Sequence, residues 1–243
     1  MNGLPDGRLG DPGRAERLLA SARDTAAIGL RLGVARLNLH GTALGDGGRA
    51  LCTGIATPAS WTCALGTLHR VRDLGAELGV TFTLENLYLP EDHAGVPFAR
   101  AVETLALALV PAVDRPELRL NLDLYHAQIG EGNLIELCRA ALPWIGEIQV
   151  ADVPGRCEPG TGEVNYPGSA RALHAMGYKG AVGLESHTSG DPEAALNAFR
   201  AAFPVQHGPP GRGASPRTGI FCPSIVQTQQ SAGPCGASAP ACP

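Results

Sequence analysis

Five short segments of this chain break off at an acidic, amide or imidazole side chain where an apolar run stops. They are Arg36-Leu37-Asn38-Leu39-His40, Thr81-Phe82-Thr83-Leu84-Glu85, Leu120-Asn121-Leu122-Asp123 continued by Leu124-Tyr125-His126, Ile148-Gln149-Val150-Ala151-Asp152, and Ala181-Val182-Gly183-Leu184-Glu185. Stretches of helical periodicity lie between them. Strands that alternate with helices imply a parallel sheet. In a parallel (β/α) barrel the carboxyl ends of the strands share the face that carries the chemistry. The pattern therefore predicts an α/β, TIM-barrel-like fold with Glu85, Asp123, Gln149 and Glu185 on one face. Two glutamates, an aspartate and a glutamine make an oxygen-rich set that suits a hard divalent cation, Mg2+ or Mn2+.

The 243 residues suffice for one sizeable domain with a buried core. A net charge of −4 and no basic stripe argue against nucleic acid as a partner. No apolar run approaches the ~18 residues of a membrane helix. The first residues lack the charged-then-apolar layout of a secretory signal. These features predict a cytoplasmic protein acting on a small molecule, with no membrane partner and with room for a homo-oligomer. The seven cysteines form no CxxC pair and their number is odd, so neither structural zinc nor a disulfide framework is expected.

Alternating elements are expected from about residue 11 to residue 203. Asp11-Pro12 reads as a cap and first residue of a helix that ends before Gly33. Further helices are expected at 58–78, 97–110, 134–142, 169–176 and 192–203, and strands at 34–40, 80–85, 118–123, 147–152 and 180–185. On the 58–78 helix, Leu65, Leu68, Arg72 and Gly75 are expected along one side. Asn133 and Glu136 have the spacing of a capping box. The two strands 34–40 and 180–185 read as apolar runs suited to burial on both faces. Residues 204–243, heavy in Pro, Gly, Ser and Gln, lack periodicity and read as a disordered tail.

Each candidate residue has an ordinary role beside its chemical one. A carboxylate at a strand end often caps a helix or forms an ion pair. Glu85 and Glu185 together, joined by Asp123 and Gln149 at equivalent strand ends, favour a site in which each glutamate ligates a metal and handles a proton. His126, three residues past Asp123, is placed to reach a substrate oxygen or to act as a core histidine. Arg156 can hold a substrate carboxylate bidentately. Asn38 and His40 also end a strand and could line the pocket.

These segments resemble the hydroxypyruvate isomerase family of the xylose-isomerase-like TIM barrels. The resemblance is carried by Leu84-Glu85-Asn86, by residues 122–129 with Glu131-Gly132-Asn133-Leu134, by 148–156, by 158–166, and by 177–185. It covers about residues 2–203. It implies metal ligands at Glu85, Asp123, Gln149 and Glu185, proton transfer by Glu85 and Glu185, and substrate contacts at His126 and Arg156. The implied reaction interconverts hydroxypyruvate and 2-hydroxy-3-oxopropanoate through a cis-enediolate. A sugar or keto-acid epimerase or isomerase of the same superfamily, and a catalytically silent remnant, are the alternatives. The match begins near the end of the family's third strand, so the five strands correspond to strands four to eight. An incomplete barrel with strands 34–40 and 180–185 as edges is the expectation, with low solubility and little activity alone. Cys157 and Ser186-His187-Thr188 depart from the family pattern.

Overall fold

The computed structural model describes residues 9–42, 57–89, 96, 98–101 and 109–204. The chain divides into two compact units, Met1–Glu147 and Ile148–Pro243. Most of the expected 97–110 helix and all of 205–243 fall outside the described residues.

In the first unit, α1 (Pro12–Arg31) starts where the Asp11 carboxylate accepts from the Gly13 amide. It buries Ala15, Leu18, Ala22, Ala26 and Gly29, one stripe at helical spacing. Gly29 lies so close to the chain reversal that an added Cβ would sit 2.9 Å from Leu37 Cδ2 and 3.0 Å from the Val34 carbonyl oxygen. The same helix end leaves Ile28, Leu30 and Leu32 exposed, with Val34 beyond it.

Strand β1 (Arg36–His40) leads through described residues 41–42 and on to α2 (Pro58–Leu78). A capping box between Thr57 and Ser60 opens α2, and Gly79 in the left-handed region closes it. Its buried face is Ala64, Thr67, Leu68, Val71, Leu74 and Gly75. Leu65 and Arg72, expected on that face, are displaced to its margin because Gly75 and Leu68 set the contact line. Strand β2 (Thr81–Glu85) follows, then the short α3 (Val110–Val113), and β3 (Leu118–Asp123). Helix α4 (Leu124–Gly130) begins at the next residue, α5 (Leu134–Ala141) follows, and the unit boundary falls within β4 (Ile145–Val150). The second unit continues with α6 (Tyr166–Ala175), β5 (Ala181–Leu184) and α7 (Pro192–Ala202).

The strands run in sequence order, β1-β2-β3-β4-β5. β1 pairs in parallel with β2, His40 opposite Glu85, and β2 in parallel with β3, Glu85 opposite Asn121. Sequence order and parallel pairing are what short right-handed crossovers produce.

Two expectations need correction. Strand β1, expected to be apolar on both faces, is not, and β2 and β3 share its pattern. Leu37, Phe82, Leu84, Leu118, Leu120 and Leu122 are buried on one face, and α1 and α2 pack against these strands. The alternate residues, Arg36, Asn38 and His40, then Thr81, Thr83 and Glu85, then Arg119, Asn121 and Asp123, form a polar face. The second correction concerns Asn133, which makes no side-chain cap. It adopts φ 49°, ψ 42°, so its side chain is turned away from the amides that a cap in extended conformation would reach.

Candidate active site

Glu85 ends β2 and Asp123 ends β3, and α4 begins immediately after Asp123. One Asp123 oxygen, Oδ1, accepts from the amides of Tyr125 at 2.7 Å and His126 at 3.4 Å, so the aspartate caps the helix it precedes. That first turn brings His126 Nε2 to 3.7 Å from the other oxygen, Oδ2. One ligand atom each from Glu85, Asp123 and His126 lies within 4.8 Å of the others, and all three residues are buried.

The neighbours fix how this trio is presented. His126 Nδ1 lies 2.9 Å from the Tyr88 carbonyl oxygen. A carbonyl only accepts, so Nδ1 carries the hydrogen, and in the neutral ring Nε2 offers its lone pair on the side of Asp123. Metal-ligating histidines are commonly oriented this way, with the other ring N–H given to a carbonyl. The Asn86 side chain holds the Asp123 backbone from both sides: its Oδ1 accepts from the Asp123 amide and its Nδ2 donates to the Asp123 carbonyl, both at 2.9 Å. Glu85 Oε2 accepts from Asn38 Nδ2 and, at 3.0 Å, from His40 Nε2. Two donors from β1 thus fix the rotation of a carboxylate on β2.

Deeper along the polar face, Thr83 Oγ1 lies 3.3 Å from Glu147 Oε1 and 3.4 Å from Asn38 Oδ1. Burial raises the Glu147 carboxyl above its ordinary range; the Glu85 charge adds to this, while Arg36 and Thr83 oppose it. Thr83 Oγ1 can give its one hydrogen to either Glu147 or Asn38, and the Asn38 amide donates to Glu85, so Thr83 and Asn38 connect Glu147 to the site glutamate.

The second unit holds Gln149, Arg156 and Glu185. Gln149 is buried near the end of β4. Glu185 follows β5, and its amide donates to the Val150 carbonyl at 3.1 Å. Arg156 Nη2 donates to Glu185 Oε2 at 2.6 Å, and Nε to the Glu185 carbonyl at 3.4 Å. The arginine expected to meet a substrate carboxylate is thus engaged with a protein carboxylate. β4 stops at Val150 rather than 152, because Asp152 turns into the loop. Its side chain accepts from the amides of Val153, Gly160 and Val164, tying down a segment that reads in sequence as a long structureless connection. Glu158 accepts from the Ser189 amide and hydroxyl. Burial alone would raise this carboxyl, and the Ser189 hydrogen bonds hold it below its ordinary value. Cys157, for which no disulfide was expected, is disulfide-bonded.

The structure thus gathers Glu85, Asp123 and His126 in one unit, and Arg156 with Glu185 in the other. Sequence reading missed Asn86, Thr83 and Glu147. The available signal was the period-two recurrence of polar residues along the strands, Asn38 and His40, Thr83 and Glu85, Glu147 and Gln149.

A family profile described as Xylose isomerase-like TIM barrel matches residues 2–202. The chain belongs to that family. A protein named Putative hydroxypyruvate isomerase from Homo sapiens is 44% identical over 97 residues, 40% of this chain and 35% of that protein. The 2-oxo-tetronate isomerase of Pectobacterium atrosepticum is 41% identical over 91 residues, 37% of this chain and 35% of that one. The hydroxypyruvate isomerase of Escherichia coli is 36% identical over 108 residues, 44% of this chain and 42% of that one. The matched stretch therefore spans well under half the length of these relatives. Among solved structures, an AP endonuclease, family 2, from Brucella melitensis superposes with TM-score 0.68 at 29% identity, covering 80% of this chain and 71% of that one. L-ribulose 3-epimerase gives TM-score 0.65 at 22% identity, covering 85% and 66%. At that second level of identity the likeness speaks to the fold alone. Among the described residues, no helix is long and apolar enough to cross a membrane.

Proposed function

We propose that this chain is a metal-dependent isomerase that moves a proton between adjacent carbons of a small hydroxy-oxo acid, interconverting hydroxypyruvate and 2-hydroxy-3-oxopropanoate or a close relative. The observation that carries the reading is the buried trio Glu85, Asp123 and His126, with the His126 tautomer set by the Tyr88 carbonyl. The relatives named as isomerases of hydroxypyruvate and 2-oxo-tetronate support the substrate class.

The donor set fits a divalent cation. It combines two carboxylates with one imidazole nitrogen, and Mn2+ accepts both ligand types more readily than Mg2+, which prefers oxygen alone. Gln149 and Glu185 are further ligands by family resemblance. When bound, the cation supplies charge stabilisation for the oxygens of a cis-enediolate.

The residues do the rest. One glutamate removes the proton from the hydroxyl-bearing carbon, and the other returns a proton to the neighbouring carbon; the resemblance assigns these roles to Glu85 and Glu185. Asn38 and His40 hold the Glu85 carboxylate in one orientation. Asn86 holds the Asp123 backbone in register with β2. His126 and Arg156 are the substrate contacts implied by the resemblance; the single Nε2 lone pair of a neutral His126 serves either the cation or a substrate hydroxyl, not both.

The test is proton exchange. With hydroxypyruvate and Mn2+ in D2O, NMR should show deuterium entering the hydroxyl-bearing carbon together with formation of the aldehyde product. Both should be lost in Glu85→Gln. If a panel of short hydroxy-oxo acids gives neither exchange nor product while Mn2+ binds, the isomerase reading falls. If Mn2+ does not bind either, the silent-remnant alternative stands.

A further inference from the structure

The loop after β4 is organised around a buried carboxylate that the proposed chemistry does not use. Asp152 is buried, and its Oδ1 accepts from the amides of Val153 at 2.9 Å and Val164 at 3.0 Å, its Oδ2 from the Gly160 amide at 2.8 Å. Its backbone closes the turn that carries Arg156. The Asp152 amide donates to the Cys157 carbonyl at 2.7 Å, and the Asp152 carbonyl accepts from the Arg156 amide at 3.0 Å. Hydrogen bonds to an ionised acceptor are stronger than neutral ones, so this carboxylate is a firm anchor for residues 153–164.

Arg156 depends on such an anchor. Its φ is 54°, in the left-handed region that a residue with a Cβ holds only when its surroundings impose it. From there its side chain grips residue 185 twice: Nη2 donates to Glu185 Oε2 at 2.6 Å, and Nε to the Glu185 carbonyl at 3.4 Å. The Arg156 carbonyl accepts from the His187 amide at 2.8 Å. Glu185 lies just past the end of β5, with its side chain 39% exposed. A carboxylate so placed has several staggered rotamers open to it, and the planar guanidinium selects one.

We propose that Asp152 is a positioning residue for Glu185: by gathering three amides of the loop after β4, it holds Arg156 in the conformation that orients the Glu185 carboxylate for proton transfer. The proposal rests on the isomerase reading for the task of Glu185, and on the hydrogen bonds of residues 152–164 for the route. Glu85 is oriented by Asn38 and His40 instead. Loosening this loop therefore disables one of the two glutamates and spares the other.

The experiment uses Asp152→Asn, whose amide nitrogen must face an N–H donor in either orientation. Gly162→Ala is the second variant. It leaves Asp152 in place, but the added Cβ runs into the Val153 carbonyl and sits 2.8 Å from Asp152 Oδ1. Hydroxypyruvate and 2-hydroxy-3-oxopropanoate are each incubated with Mn2+ in D2O. Product formation should fall about tenfold or more from either acid, the scale of a misplaced catalytic group. Deuterium entry into the starting acid should fall as far only for the acid whose proton Glu185 removes. It should persist for the other, because Glu85 still forms the enediolate and returns deuterium to the same carbon. A loss of folded protein, or of a contact with the carboxylate that both acids carry, would lower exchange equally in both. In parallel, hydrogen exchange followed by mass spectrometry should show the His187 amide losing protection in both variants. Equal loss of exchange from the two acids, no loss from either, or unchanged His187 protection overturns the proposal. If Asp152→Asn does not fold, Gly162→Ala decides by the same readings. If the wild-type chain turns over neither acid, the isomerase reading fails, and His187 protection alone decides whether Asp152 holds the Glu185 segment.

Discussion

Glu85 and Glu185 look alike in sequence, each following a leucine at the end of a short apolar strand, yet the structure treats them differently. Glu85 is 2% exposed and takes two N–H donors from β1. The Glu185 side chain is 39% exposed and is paired with Arg156, from a loop after β4. Glu85 belongs to a polar face on which Asn38, His40 and Thr83 meet side chains from other strands. Glu185 belongs to a unit ordered by loop carboxylates, Asp152 and Glu158, that capture backbone amides. The same local signal yields a locked group in one place and a yielding one in the other, because the partners come from elsewhere in the chain.

The largest expected effect sharpens that contrast. Glu85→Gln and Glu185→Gln should each lower turnover by on the order of a hundredfold or more, the usual scale for a general acid–base group. Only the first should also cost stability, about 1–3 kcal/mol, because a buried network loses an acceptor. The second should stay within about 1 kcal/mol, as expected for a partly exposed ion pair. Thermal melts beside kinetics check both, and equal destabilisation would break the comparison.

Next in size is the cation. His126→Ala and Asp123→Ala should each weaken Mn2+ binding by more than about tenfold in calorimetric titration. Asn86→Ala leaves every ligand atom in place and disturbs only the Asp123 backbone, so its loss should be smaller. An Asn86 effect as large as that of Asp123 would mean that strand register, more than ligation, controls the trio.

Glu147 gives a smaller effect with a definite sign. Its carboxyl is raised in the folded chain from the ordinary value of 4.5, so the folded state holds this proton more tightly than the unfolded state. The associated stability is present below 4.5 and is lost as pH climbs through the raised value. Glu147→Gln keeps a donor for Thr83 and has no proton to lose. It should therefore melt at a higher temperature than the wild type near neutral pH and match it at about pH 4. A gain that persists unchanged in acid would refute a Glu147 carboxyl raised by folding.

The smallest effect serves as the control. Arg23–Glu77 and Arg70–Glu16 are bidentate in geometry but lie exposed at the surface. Water and salt screen such pairs, so Arg23→Ala or Arg70→Ala should not measurably shift the melting temperature.

The sequence by itself determined the element order, most element boundaries and the strand-end position of Glu85, Asp123, Gln149 and Glu185. These follow from local rules: periodicity, Asp-Pro helix starts, and glycines at helix ends. It also carried the alternation that makes one sheet face polar, although the leucines beside it invite reading the strands as apolar on both faces. Tertiary structure alone decided which polar atoms meet. That Asn38 and His40 both serve Glu85, that Asn86 clasps the Asp123 backbone, that the Tyr88 carbonyl sets the His126 tautomer, and that Arg156 is taken by Glu185 all depend on contacts between residues far apart in the chain. A hydrogen bond has no sequence signature when its donor and acceptor are dozens of residues apart, because only the register between paired strands brings them within 3 Å of each other.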